Sequence, residues 1–227
     1  MTAGYFAPNN SRMEIAHWPL YGLRLRTPRL ELRLPGLEEL NALAQVAAEG
    51  VHDPQTMPFL NSWTDLPPAE RARSVLQHHW RTLAEGSPGK WELQLGVFLG
   101  GVVVGSQSVS ARDFTITREI HSGSWLGQRY QGQGIGTEMR AAVLYLAFEG
   151  LHARYACSAA FEDNAASLGV SRKLGYADDG IEFHVVRGRA VTTRRLRLDR
   201  DTWAAHQSVP VEISGLEPCL PSFGVTG

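Results

Sequence analysis

From Leu23 the chain alternates apolar and charged residues: Leu23-Arg24-Leu25-Arg26, then, past a break at Thr27-Pro28, Leu30-Glu31-Leu32-Arg33-Leu34. A period of two predicts a half-buried strand. The period then lengthens, with Leu37, Leu40, Leu43, Ala44 and Ala47 at helical spacing and Gly50 as the stop. A loop rich in Pro and Trp leads from Asp53 to Pro67-Pro68, and an amphipathic helix is predicted over Ala69–Glu85, closed by Gly86 and Pro88. Trp91–Leu99 and Val102–Ser110 flank Gly100-Gly101, which suits a two-residue primed hairpin turn. Ile116–Leu126 reads as a third long strand. Over Gly136–Glu149 the period returns to helical, with Met139, Ala142, Val143, Leu146 and Ala147 on one face. A strand at Arg154–Ala160, a helix at Ala165–Leu174, a hairpin of Ile181–Val186 with Ala190–Leu198 through Gly188, and a helical turn at Asp201–His206 complete the pattern.

This order predicts an α+β fold: a mixed, mostly antiparallel twisted sheet with a parallel pair at its centre and helices on its faces. It contains no internal repeat. The expected organisation is a loose arm over 1–20, one domain over 21–206 and a Pro-punctuated tail over 207–227.

Composition narrows the setting. The chain is 43% hydrophobic and 20% charged, as soluble globular proteins are. No stretch approaches the ~18 consecutive apolar residues of a membrane helix, and Met1–Ser11 lacks the basic and apolar regions of a secretory leader. Cys157 and Cys219 are too far apart to suggest a disulfide framework or a zinc site, so a reducing cytoplasm is expected and no metal. A net charge of −1 makes no electrostatic case for nucleic acid, and no membrane partner is expected.

The chemistry begins at Arg129-Tyr130-Gln131-Gly132-Gln133-Gly134-Ile135-Gly136-Thr137, between a predicted strand and a predicted helix. Three glycines at alternate positions leave the backbone uncovered and permit the positive φ of a concave anion nest. The helix starting near Gly136 adds unpaired donors and a positive dipole end, so the segment reads as a pyrophosphate site. The spacing departs from the dinucleotide fingerprint, whose third Gly would stand at Thr137, and a Walker Gly-Lys-Ser/Thr is absent.

Gln131-Gly132-Gln133-Gly134-Ile135-Gly136 resembles the Gln/Arg-x-x-Gly-x-Gly/Ala motif of the GNAT N-acetyltransferase superfamily. Gly123-Ser124-Trp125-Leu126-Gly127, Thr137-Glu138, and Asn164-Ala165-Ala166-Ser167 with Lys173-Leu174-Gly175-Tyr176 are similar to segments of its branch that acetylates ribosomal-protein N-termini. The resemblance covers roughly Leu23–Trp203 and is strongest over Gly123–Tyr176. It implies the GNAT fold, in which the central parallel strands splay and coenzyme A pantetheine pairs with the open edge, here Trp125, Leu126 and Gly127. It also implies an acyl-CoA co-substrate, acetyl-CoA by default, held by Gln131, Gly132, Gln133, Gly134, Ile135, Gly136 and Thr137 and by Asn164, Ser167, Ser171 and Lys173. The partners are then the acyl-CoA and a primary-amine acceptor, a protein N-terminus or a small molecule, and a homodimer is a further expectation.

Direct acyl transfer needs orientation, which alone can supply ~7–11 kcal/mol of the barrier, an oxyanion donor, expected from a backbone N–H near Leu126, and a proton for the leaving thiolate. Ser167 is the expected catalytic residue for that proton. The tyrosine acid of many relatives falls at Ser171 here and the glutamate base of some falls at Ala159, leaving His121, Glu119, Glu162 and His184 as base candidates. An α-amine near pKa ~7.7–8 needs less help than a lysine near ~10.4, which favours a low-pKa amine. The missing tyrosine also leaves room for a larger donor such as succinyl-CoA, and a non-catalytic acyl-CoA-binding module is the alternative from another class. Met57–Trp63 borders the expected acceptor cleft, and His78-His79 reads as a solvated helix face.

Overall fold

The computed structural model describes residues 17–225. Most of the expected N-terminal arm, residues 1–16, lies outside them. Leu23 to Leu34 folds as two strands, β1 (Arg24–Arg26) and β2 (Leu30–Arg33), paired antiparallel across the Thr27-Pro28 break. Thr27 closes the turn, its N–H donating to the Leu30 carbonyl at 2.9 Å and its hydroxyl accepting from the Leu30 N–H at 2.9 Å. The alternation has the expected result: Leu25 and Leu32 are fully buried, while Glu31 pairs with Arg26 at 3.0 Å and Arg33 at 2.7 Å on the other face.

Helices α1 (Leu37–Glu49) and α2 (Pro68–Glu85) follow, then β3 (Lys90–Leu99) and β4 (Val102–Arg112). Gly100 and Gly101, at φ 57° and 83°, supply the two positive torsions a primed turn needs. The next stretch departs from the expected single strand. Phe114–Thr117 forms a helical turn, α3, and only Glu119–Leu126 is strand, β5. Burial of Phe114 explains this: its side chain is fully enclosed, 5.9 Å from the Trp91 ring, and left-handed Asp113 and Arg118 bound the turn. Core packing outweighs the alternating pattern there.

Beyond lie α4 (Ile135–Tyr145), which continues as one wide π turn over Leu146–Gly150, then β6 (Tyr155–Phe161), α5 (Ala165–Lys173), the hairpin β7 (Ala177–Val186) and β8 (Arg189–Asp199), α6 (Arg200–His206) and β9 (Glu212–Ser214). The strands of the described residues form one open sheet in the order β7-β8-β6-β5-β4-β3-β2-β1-β9. Every neighbouring pair is antiparallel except β5 with β6. On one face the apolar stripe of α4 (Met139, Ala142, Val143, Leu146, Ala147) packs on Leu25, Leu95, Ile120 and Ala156 in the main core. On the other face Leu40 and Leu43 of α1 meet Phe98 and Val103. Among the described residues no helix is long and apolar enough to cross a membrane.

The segment read as a Pro-punctuated tail carries structure that its period did not announce. Glu212–Ser214 pairs with β1 as an edge strand, and a 3-10 helix over Glu217–Phe223 buries Cys219 and Phe223 completely. Three residues are too short to show alternation, and Pro218 and Pro221 mask the turn. The Phe223 ring meets Trp91 edge-on at 4.8 Å. Replacing Phe223 with Ala is therefore expected to lower unfolding stability by about 3–5 kcal/mol, measured as a shift in the urea midpoint at unchanged m-value.

Candidate active site

The parallel pairing of β5 with β6 spans three residue pairs, Glu119–Tyr155, Ile120–Ala156 and His121–Cys157, and then stops. Ser122–Leu126 continues against β4 alone, and Ser158–Phe161 against β8 alone. The two strands thus form a fork whose inner edges face each other without bonding. A bulge shapes the β5 arm. The β3–β4 register slips between Val97 and Phe98, leaving Val104 without a partner on β3, and the Val104 carbonyl accepts from the Gly127 N–H at 3.0 Å. Gly105 packs so tightly there that a Cβ on it would run into the Trp125 carbonyl. Bulges of this kind bend a strand and re-aim its edge.

Alternation then assigns the open backbone groups. With the Gly127 N–H directed at β4, the N–H and C=O of Leu126 point into the fork. The Leu126 carbonyl accepts from Gln131 Nε2 at 3.0 Å, and the same amide donates to the Val51 carbonyl at 2.6 Å. Gln131 thus turns its side chain inward as a clasp, and the Leu126 N–H remains the donor available to a ligand.

Beyond the fork, Gly132 and Gly134 sit at φ 74° and 78°, the left-handed torsions of an anion nest. Gly134 is also the N-cap of α4, and the loop's backbone bonding resumes at Thr137 and Glu138, whose N–H groups donate to the Gly134 carbonyl at 3.2 Å each. Among the described residues the N–H groups of Gly132, Gln133 and Gly134 have no backbone acceptor. A salt bridge underneath keeps them outward. Glu138, 7% exposed, accepts from Arg29 Nε and Thr27 Oγ1 at 2.6 Å each, and Arg29 Nη1 donates to the Gln133 carbonyl at 3.1 Å.

α5 lies along the other arm. Asn164 caps it, its Oδ1 accepting from the Ser167 N–H at 3.1 Å, which leaves half-buried Ser167 one turn inside. Ser171 is fully buried and accepts from Arg140 Nη1 at 3.0 Å, so its hydroxyl faces the protein interior, and Lys173 is exposed at the far end. Ile135 is buried in the core beneath the loop. The loop, the β5 edge and the start of α5 therefore assemble around one fork, while Ser171 and Lys173 stand apart from its mouth.

The opposite side of β5 borders a cavity of about 570 Å³. Trp125, Trp63 and Phe59 form one wall, with ring centroids 5.6 and 5.5 Å apart in sequence, and Glu92, Gln94 and Ser106 line the sheet side. The loop expected to border an acceptor cleft lines this cavity through Phe59, Asn61, Ser62 and Trp63. None of His121, Glu119, Glu162 and His184 lines this cavity. Glu119 is bound by Arg197 at 2.8 Å, Glu162 by Arg194 at 3.6 Å, and His184 meets Thr193 at 3.1 Å.

Comparison with known proteins follows this geometry. The family model for the acetyltransferase (GNAT) domain matches residues 29–177, more than half of the chain. Among solved structures, a GCN5-related N-acetyltransferase from Brucella melitensis has 19% identity and a TM-score of 0.64, over 81% of each chain. The ribosomal alpha-N-protein acetyltransferase RimL, in complex with coenzyme A, has 19% identity and a TM-score of 0.60, over 78% of this chain and 97% of that one. RimJ of Mycobacterium smegmatis, in complex with a coenzyme A disulfide, has 16% identity and a TM-score of 0.61, over 88% and 94%. At these identities the likeness establishes the fold.

Two groups at the site carried no signal of their role in the sequence. Arg140 sits among the apolar residues of α4 and is 4% exposed beneath the fork. His79, expected on a solvated face, is 2% exposed at the cavity wall, with both ring nitrogens unpartnered among the described residues. α2 rotates it under the sheet while leaving His78 outside. Burial first, and then His78, pushes its pKa down from 6.5 to about 4, so the ring is neutral at physiological pH. Because the unfolded chain takes up this proton near pH 6.5 and the folded chain only near 4, the stabilisation is complete above about pH 6.5 and is lost as pH falls towards 4. Between pH 7 and 5 that amounts to roughly 2 kcal/mol. Urea titrations of the wild type and H79Q across this range are expected to show a steeper fall in the wild type, and parallel curves would contradict the assignment.

Proposed function

This chain belongs to the GNAT acetyltransferase family, and from that premise we propose that it transfers an acyl group, acetyl by default, from acyl-CoA to a primary amine in one direct step. The observation that carries the reading is the fork: three residue pairs of parallel sheet followed by two unbonded edges, with an anion nest at the mouth. An extended amide chain fits such an edge as a missing strand, and the nest suits a pyrophosphate.

The bound acyl-CoA supplies an activated carbonyl, whose C–S bond breaks as the amine forms the new C–N bond. Gly132, Gln133, Gly134 and Gly136 hold the pyrophosphate through backbone donors at the start of α4, and Thr137, whose N–H is held by the Gly134 carbonyl, offers its hydroxyl. The edge Trp125–Gly127 orients the pantetheine arm, and the Leu126 N–H donates to the oxyanion that develops on the carbonyl. Ser167 donates its hydroxyl proton to the departing sulfur, and solvent restores it. Asn164 fixes Ser167 by capping the helix.

The amine enters from the 570 Å³ cavity, because Ser124 and Trp125 line both it and the fork. The Trp63 and Trp125 rings and the Glu92 carboxylate favour an ammonium before deprotonation. His79, neutral there, can accept from an amine N–H without adding a repelling charge. With a base this weak, a low-pKa amine is the fitting acceptor: the α-amine of a protein N-terminus or a small-molecule amine. The two buried thiols, Cys157 raised to about 12 and Cys219 to about 11, chiefly by burial, accord with a reducing cytoplasm. Exposed Ile181, Phe183 and Val185 on β7 would supply the contact of a homodimer.

A free-thiol assay with acetyl-CoA is expected to show turnover on peptides with a free α-amine and weak turnover on α-blocked peptides carrying lysine. Tight coenzyme A binding with no turnover on any amine would instead identify a non-catalytic acyl-CoA-binding module. Replacing Ser167 with Ala should lower kcat by about 10- to 100-fold, at or below the low end of the ~10²–10⁴ typical of a well-matched general acid, with little change in the KM for acyl-CoA. Coenzyme A alone should raise the melting temperature, with a stabilisation of ~2.7 kcal/mol at a hundredfold excess over Kd, whereas ATP and NAD should not.

A further inference from the structure

Arg140 reaches from α4 to the floor of the fork and touches every element that forms it. Nη1 donates to Ser171 Oγ on α5 at 3.0 Å and to Ser158 Oγ on β6 at 3.4 Å, and Nη2 donates to Ser124 Oγ on β5 at 3.5 Å. All these partners are neutral hydroxyls. Among the described residues no carboxylate pairs with this guanidinium, and its Nε has no acceptor. Glu138, two positions earlier on α4, is already held by Arg29 and Thr27.

The same floor holds two further hydroxyls. The Tyr176 phenol and the Ser122 hydroxyl are buried beside one another, and among the described residues neither has a further side-chain partner. Burial raises the pKa of Tyr176, with Arg140 opposing, so the phenol keeps its proton and adds no negative charge. A buried cation with no counter-ion is among the costliest arrangements in a protein interior. Here it is surrounded by neutral hydroxyls that leave its charge uncompensated, and an anion supplies both the acceptor and the counter-charge.

We propose that this floor is a carboxylate subsite: Arg140, with Ser124, Ser158 and Tyr176 around it, receives the terminal carboxylate of a dicarboxylic acyl group such as succinyl carried on coenzyme A. The inference rests on the acyl-CoA reading above and narrows its donor. Ser124 is the connecting residue. Its backbone lies one position before the Leu126–Trp125 edge that orients the thioester, and its side chain meets the guanidinium below. An acyl chain directed into the fork from that edge therefore runs towards Arg140. A neutral chain leaves the cation unmatched, whereas a carboxylate forms charge-assisted, potentially bidentate hydrogen bonds with it.

The test is isothermal titration calorimetry of the full chain with succinyl-CoA and with butyryl-CoA, which has the same four-carbon length but ends in methyl, with coenzyme A as the common reference. The wild type is expected to bind succinyl-CoA at least tenfold more tightly than butyryl-CoA. In R140M, and partly in S124A, that ratio should fall towards one. Equal affinities in the wild type would overturn the proposal without any variant, so a poorly folded R140M does not protect it. A uniform loss for all three ligands in R140M would also overturn it, by showing that Arg140 only braces the arms. Binding of none of the three would sink the acyl-CoA reading itself, whereas binding of coenzyme A and butyryl-CoA with no preference for succinyl-CoA would sink this inference alone.

Discussion

Where the parallel pairing of β5 with β6 ends determines what the rest of the molecule must do. Sheet edges normally pair along their whole length, because an unpaired backbone donor or acceptor that is shielded from water costs about 1–3 kcal/mol. Here pairing ends at His121–Cys157, although both strands continue for several residues. Each arm is held by its outer neighbour: β5 by β4 with its bulge at Val104, and β6 along its full length by β8. Closing the fork would require β5 to leave β4, and Gly105, packed against the Trp125 carbonyl, shows how tightly those two strands are joined. The opening is therefore a consequence of better pairing elsewhere, and the proposed pantetheine arm, with its own amide groups, would complete the sheet.

A similar division of labour operates at the loop. Successive N–H groups converge on an anion only if the intervening carbonyls point away, and an unaided loop would not hold that orientation. Arg29 supplies the restraint by binding the Gln133 carbonyl, and buried Glu138 holds Arg29. The negative charge of Glu138 at the start of α4 is neutralised by this pair, so the dipole end of the helix remains attractive to phosphate. The turn between β1 and β2 joins the arrangement through Thr27. A hairpin more than a hundred residues earlier in the chain thus braces the loop.

The glycine loop and the cap of α5 were legible in the sequence because their signals lie in local backbone chemistry. Gly132 and Gly134 announce their torsions by being glycine, whereas Gly136 lies inside α4, and Asn164 announces a helix start by its capping chemistry. Such signals are local, so spacing along the chain preserves them. The alternations of β1, β2, β3 and β4 were equally clear, since one face of each is buried. What failed was the stretch before β5, where Phe114 needed the position of Trp91 to explain its turn, and the last strand, whose three residues gain order only from β1. The clasp that the Gln131 side chain makes with the Val51 and Leu126 carbonyls was not legible, because it depends on folding across eighty residues.

The two side chains on which the proposed acyl and amine selectivity rests, Arg140 and His79, come from elements distant in sequence. His79 appears as one of two adjacent histidines on a polar helix; only the roll of α2 against β3 and β4 buries one and exposes the other. Arg140 breaks the apolar stripe of α4, and an isolated arginine in such a stripe ordinarily extends its head to solvent. It does not do so here because the fork above it is lined with serines on β5, β6 and α5. Each of those serines is unremarkable alone. Their convergence on one guanidinium requires the splay, and the splay requires the bulge in β4, so the fork that opens the edge to a donor also creates the polar floor beneath it.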